Sequence, residues 1–371
     1  MLMILLRTFI FFLGLFLAAY TFISATRTFV LPRSASVKLT RLVFLSVRSL
    51  FNLLMKALPT YEQRDSLMAI YAPISLLLMV PAWLFITTVG FACMFWALGT
   101  TPWSEAFLLS GSSILTLGFA TASTLWQTVL AFVEATVGLI LVAMLISYLP
   151  TMYAAFSQRE EAVSLLEVRA GSPPTAAELV WRLQGLGNPQ LAHSFWDYWE
   201  HWFTQIDETH TSLAALVFFR SPRAHQNWVV AAGAVLDGAA LYLSSVKQTD
   251  GGTSVYYGLV IRAGNFALHH IADMFLVPYN ADPHYPDDPI SVTQADFYEA
   301  YDRLAGQGVP MQPDREAAWR HFAGWRVNYD SVLVALARLT MAPETPWLSD
   351  YTFVPADREK GETSGRLQKV R

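Results

Sequence analysis

One cysteine, Cys93, stands among 371 residues, and only 15% of them are charged. A lone thiol inside an apolar run excludes a disulfide framework and a cysteine-based metal site. So little charge, with 54% hydrophobic residues and a mean hydropathy of +0.35, excludes an ordinary soluble protein of this size and points to a membrane protein. The net charge of −4 supplies no basic stripe to neutralise phosphates, so nucleic acid is set aside. A dinucleotide loop is also missing. Gly185-Leu186-Gly187-Asn188-Pro189 has two of the glycines but no third, and Pro189 falls where a helix must start. No nucleophile with an assigned base emerges, so no residue is assigned as catalytic and no enzyme is expected.

Long charge-free runs crowd into the first 150 positions, whereas Asp, Glu, Arg and His populate the remainder. Spanning a bilayer takes roughly 20 apolar helical residues, because lipid offers no partner to a backbone amide. Three stretches qualify: about Thr8 to Ser24, about Ala72 to Gly99 with Pro73 and Pro81 inside it, and about Trp126 to Pro150. The first has small residues at its end, as a secretory signal does, but its length and the basic residues after it favour a retained anchor.

Arg27, Arg33, Lys38, Arg41, Arg48, Lys56 and Arg64 fall between the first two spans, while Gly99 to Trp126 holds Glu105 and no Lys or Arg. By the positive-inside rule the former connection is cytoplasmic and the latter external. Trp96, Trp103 and Trp126 mark the outer edge, Tyr71, Tyr148 and Tyr153 the inner one, and the C-terminal region is then cytoplasmic. Lys38, Arg41, Arg48, Asn52 and Lys56 share a helical stripe with Leu42, Phe44, Val47, Phe51, Leu54 and Leu58 largely elsewhere, the pattern of a helix lying in the membrane interface. Its basic residues are too widely spaced for a voltage sensor.

Between the second and third spans, Trp103 to Gly111 is too short to cross a bilayer and reads as a re-entrant half-helix. Ser112-Ser113-Ile114-Leu115-Thr116-Leu117-Gly118-Phe119-Ala120 follows it. Irregular backbone at membrane depth is tolerated only where it lines water or is buried in protein. The stretch from Ala72 to Arg159 resembles the two-helix pore module of potassium channels, with Ala106 early in the pore helix, Ser113 on the threonine at its end, and Thr116-Leu117-Gly118-Phe119-Ala120 on the Thr-Val-Gly-Tyr-Gly filter.

The resemblance implies a homotetramer whose four loops ring one axis with carbonyl oxygens that replace the water shell of a monovalent cation, potassium above all. Thr116 would add its hydroxyl at the inner mouth and Gly118 would free a carbonyl orientation. Leu117 and Phe119 would pack outward against the pore helix, and the helix dipole end near Ser112 would favour a cation. Ala120, in place of the second glycine, predicts left-handed strain of about 1–2 kcal/mol per subunit. With Thr121 and Leu115 also departing from the family pattern, cation conduction follows more securely than potassium selectivity. In the third span, Gly138 is a candidate gating hinge, with close helix packing as the other explanation. Glu134, the one acid there, is expected to support the pore or line its outer vestibule.

Beyond the third span a helical pattern runs to Val168, Gly171-Ser172-Pro173-Pro174 breaks it, and Thr175 with Glu178 forms a capping box. Helical segments are expected over Ala176 to Gln184, Gln190 to Gln205, Ser212 to Phe219, Gln226 to Ser245, Ser254 to Phe275, Thr293 to Ala305 and Asp314 to Leu339, all amphipathic. Helical groupings His193, Asp197, Glu200, His201 and His269, His270, Asp273, with Asp282, His284, Asp287 and Asp288 in a loop, have metal-ligand residue types but read as solvated or hydrogen-bonded residues. Neither a metal nor another cofactor is expected.

The expected fold is therefore all-α: a helical membrane protein with a re-entrant pore loop and a cytoplasmic α-helical domain. Residues 1–25 form the anchor, 26–66 a basic interfacial segment, 67–150 the pore module, 151–174 the inner-helix extension and linker, 175–341 the cytoplasmic domain and 342–371 a flexible tail. The function it implies is a multi-pass cell-membrane cation channel of potassium-channel type. The competing reading is a non-conducting, membrane-anchored helical sensor or interaction protein.

Overall fold

The structure is a computed structural model that describes residues 1–29, 38–187, 189–247, 254–345, 347, 351–353 and 367–369. It divides into two compact units, Met1–Ala154 and Ala155–Arg371. The first holds α1 (Leu2–Phe29), α2 (Lys38–Met55), α3 (Tyr61–Ala69), α4 (Tyr71–Ala97), α5 (Trp103–Ile114) and the first part of α6 (Leu125–Ala170). Among the described residues, four helical stretches are long and apolar enough to cross a membrane: Leu2–Phe29, Tyr61–Ala97, Leu125–Ala170 and Trp228–Ser245.

In the first unit, small residues let two apolar helices meet backbone to backbone. Gly14, Ala18, Thr21 and Ala25 recur on one face of α1 and are buried. A Cβ on Gly14 would lie 2.3 Å from the Gly90 carbonyl oxygen of α4, and one on Gly90 would lie 2.8 Å from that of Gly14. Where lipid is as apolar as leucine, such close packing is what holds helices together. Arg33 lies outside the described residues. The basic segment is two helices, α2 and α3, with Thr60 accepting from the Gln63 amide to start the latter.

The second unit contains the rest of α6, then α7 (Ala176–Gly185), α8 (Pro189–Ser212), α9 (Trp228–Ser245), α10 (Ser254–Met274), α11 (Gln294–Gly306) and α12 (Arg315–Thr340). Three expectations are corrected here. The segment after Ser212 is a single 3-10 turn, Ala214–Phe218, whose shape is fixed by buried Arg159: its guanidinium donates to the carbonyls of Leu216 (2.9 Å) and Phe219 (2.7 Å). Next, α9 is not amphipathic. Of its apolar window 89% is buried, against 11% for α1 and 17% for α6, and it is the central helix packed by α7, α10 and α12. Finally, Thr175 does accept from the Glu178 amide, but the Glu178 carboxylate pairs with Arg182 (2.8 Å) and Arg303 (3.3 Å) instead of closing a capping box.

A full capping box stands at Thr293 and Asp296. The glycines of Gly185-Leu186-Gly187 end α7 instead of opening a helix, and Asn188 lies outside the described residues. In the expected tail, β1 (Tyr351–Phe353) pairs antiparallel with β2 (Leu367–Lys369); residues 354–366 lie outside the described residues.

Candidate pore-loop site

The 12-residue α5 starts after Pro102 and carries Ala106, Leu109, Ser110, Ser112 and Ile114 buried along one side. Its hydrophobic burial against α4 includes Phe91, Met94 and Phe95. A polar tie reinforces that packing. The Ser110 hydroxyl donates to the Thr88 carbonyl of α4 (2.9 Å) and is also hydrogen-bonded to Glu134 of α6. Ser110 and Glu134 are fully buried, and Glu134 Oε2 has no hydrogen-bond partner among the described residues. Glu134 thus ties the short helix to α6 from within the packed interior of the unit.

Gly138 lies one turn further along α6, beneath the end of α5. A Cβ there would sit 2.4 Å from the Ile114 carbonyl oxygen and 2.8 Å from Ile114 Cγ1. Close approach accounts for this glycine without a hinge. The last turn of α5 therefore rests directly on α6 backbone, where the loop begins.

From that point the chain turns by a route only partly foreseen. The amides of Thr116 and Leu117 donate to the carbonyls of Ser113 (3.0 Å) and Ser112 (2.8 Å). Thr116 has φ 54° and Gly118 φ 75°, both left-handed, with Leu117 between them outside that region. The bonds from Leu117 to Ser112 and from Thr116 to Ser113 are those of a Schellman cap, which places Thr116 at the left-handed position just past the end of α5. The strain expected at Ala120 is absent, since Ala120 is not left-handed, and falls on Thr116, where a non-glycine residue costs about 1–2 kcal/mol.

Ala120 is held instead by Ser112, whose hydroxyl accepts from the Ala120 amide (3.1 Å) and donates to its carbonyl (3.4 Å). Ser113 does not take this supporting role: its hydroxyl bonds back to the Leu109 carbonyl (2.9 Å). Leu117 and Phe119, expected to pack on the short helix, are 60% and 63% exposed in the single chain.

A residue not singled out from the sequence fixes the other end of the loop. Gln127 is 2% exposed. Its Oε1 accepts from the Ser123 amide, the Ser123 hydroxyl and the Thr124 amide (2.9–3.2 Å), and its Nε2 donates to the Thr100 hydroxyl (3.0 Å) and the Leu98 carbonyl (3.4 Å). Ser112 and Gln127 together hold residues 120–124 at both sides.

In the second unit, the residues with metal-ligand chemistry are dispersed. His193 stacks on Tyr256 (4.5 Å), His269 Nδ1 donates to the Asn265 carbonyl (2.8 Å), and His270 pairs with Asp207 of α8 (2.9 Å). Asp273 accepts from the Tyr279 hydroxyl (2.8 Å), and Asp288 accepts from Asn280 and from the His284 amide. Among the described residues no three His, Cys, Asp or Glu side chains come together as a metal site.

Two buried polar clusters were missed from the sequence. Arg326 of α12 meets Asp237 of α9 and Asp330 (2.7 Å), with Ser291 and the Tyr329 hydroxyl completing the set. Arg159 meets Glu160 (2.8 Å) and His210 Nε2 (3.3 Å). Burial, with the Arg159 cation beside it, holds the His210 imidazole well below its ordinary value. These clusters order the unit's interior.

Fold and loop together define a predominantly helical chain, with helices long and apolar enough to cross a membrane, that carries a short half-length helix ending in left-handed backbone. Comparison with known proteins gives no match, whether to a family model, a curated protein or a solved structure.

Proposed function

We propose that the chain is one subunit of a homotetrameric, multi-pass cell-membrane cation channel of potassium-channel type, with the loop 116–120 as its filter and the second unit in the cytoplasm. The observation that carries this reading is a 12-residue helix that ends on the backbone of α6 and hands over to a short loop with Gly118 left-handed and Ala120 tied back to Ser112. A carbonyl-lined filter needs peptide planes turned toward one axis. A tetramer also gives Leu117 and Phe119 neighbours that the single chain lacks.

Ser112 and Gln127 act in this reading as positioning residues for the outer end of the filter. The purified full chain in planar bilayers tests it. A cation current is expected, abolished by Gly118→Val. Reversal potentials under opposed potassium and sodium gradients should shift more for Ser112→Ala, which unties Ala120, than for Ala120→Gly. A folded tetramer that passes no current would overturn the channel in favour of the non-conducting anchored protein.

A further inference from the structure

We infer that α2 is a docking surface for an anionic lipid leaflet. The helix has three faces, read at 3.6 residues per turn. Val43, Phe44, Val47 and Phe51 face the start of α4, where Phe44 and Phe51 lie against the Tyr71 ring (6.2 and 5.7 Å) and the Tyr71 hydroxyl donates to the Phe44 carbonyl (3.2 Å). A second apolar arc, Leu42, Leu50, Leu53 and Leu54, spreads over roughly a third of the circumference and is exposed. The third face carries Lys38, Arg41, Asn52 and Lys56, also exposed, with Leu45 set among them.

Three observations choose lipid as the occupant. Charge comes first: between Met1 and Tyr61 the chain has no Asp or Glu, while Arg7, Arg27, Arg33, Lys38, Arg41, Arg48 and Lys56 are all basic. Such a segment is complementary to a negative leaflet and to little else that is apolar. Position is the second. The Thr28 and Thr40 hydroxyls, 2.8 Å apart, tie α2 to the C-terminal end of α1, and Tyr71 ties it to the N-terminal end of α4. The first is the end of an apolar stretch long enough to cross a bilayer and the second is the start of the apolar helix within another, which is where headgroups lie. The third is composition: the apolar residues of the exposed arc are all leucine, with Ser46 among them and none of the Trp, Tyr or Arg anchors on which protein partners concentrate binding.

The surface would therefore insert its leucines at the acyl boundary and present its cations to phosphate or carboxylate headgroups. Each cation near such a surface raises affinity roughly fivefold. Together, Lys38, Arg41 and Lys56 would enrich anionic over zwitterionic lipid at this helix by an order of magnitude or more.

The test uses the full chain with Leu53→Cys or Leu42→Cys, labelled with an environment-sensitive fluorophore. The chain without either substitution, whose Cys93 is buried, serves as the labelling blank. Nanodiscs contain either brominated phosphatidylserine or brominated phosphatidylcholine at equal bromine content. Both probes should be quenched, more strongly by the brominated serine lipid, and Arg41→Glu with Lys56→Glu should erase that difference while leaving quenching itself. Unquenched probes at both positions would mean that protein covers this face and would overturn the proposal. Equal quenching by the two lipids, unchanged by charge reversal, would overturn the anionic preference. The readout needs no ionic current, so it stands or fails separately from the pore.

Discussion

Gly138→Ala distinguishes a hinge from a seat. In a free helix, alanine in place of glycine stabilises by about 1 kcal/mol, so a glycine kept for flexibility should yield a more stable, stiffer protein. At Gly138 the new methyl would lie 2.4 Å from the Ile114 carbonyl oxygen. Because the obstacle is backbone, the end of α5 must retreat by about 1 Å to reach ordinary contact, and overpacking of this kind costs about 1–3 kcal/mol.

Gly111, on α5 itself, supplies the control: a Cβ there meets nothing within 4 Å. Gly111→Ala keeps the propensity gain without the clash, so the difference between the two variants isolates the overpacking at about 1–3 kcal/mol. Denaturant titration of the full chain in micelles, followed by pulse proteolysis, measures it. The expected order of stability is Gly111→Ala, then the parent chain, then Gly138→Ala at or below it. Gly138→Ala as stable as Gly111→Ala would refute the seat.

Acid should weaken the second unit through His210. The folded state holds this imidazole neutral, with Arg159 Nη1 donating to Nε2, while the unfolded chain takes up a proton below about pH 6.5. Its contribution is therefore complete above that pH and falls by about 1.4 kcal/mol per pH unit below it; stability measured from pH 7.5 to 5.5 should show the slope, and His210→Gln should remove it. Arg326→Met should cost about 3–5 kcal/mol, since it leaves Asp237 and Asp330 buried without their cation. Adding Asp237→Asn should recover part of that loss in a thermal unfolding cycle, whereas simple additivity of the two costs would show that the pair does not interact.

Much of the second unit was legible because caps and breakers are local. Thr175, Thr293 and Asp314 each satisfy an amide within three residues, so their side chains announce helix starts wherever the helices go afterwards. The central position of α9 was not legible, because nothing in Trp228–Ser245 says how many other helices will surround it. The same limit hid the buried ion pairs: Asp237 and Arg326 lie 89 residues apart in sequence, and separately each reads as a solvated charge.

The loop shows the limit at its finest. Consecutive helical residues point about 100° apart, so an expectation read from sequence position chooses between Ser112 and Ser113 by one residue. The neighbour chosen, Ser113, turns back to its own helix, and Ser112 holds the loop. That choice then decides what the missing glycine means. With Ser112 satisfying both the amide and the carbonyl of Ala120, the backbone there has no need of the left-handed region, and an alanine costs nothing that a glycine would save. The strained position is Thr116, next to the end of α5 that rests on Gly138. Strain persists only where surrounding structure over-determines it. Thr116 takes it as the residue past the end of α5, where its own amide and that of Leu117 close on Ser113 and Ser112, so the turn out of the helix is set within six residues, whereas the seat of that helix on Gly138 comes from 22 residues further along the sequence.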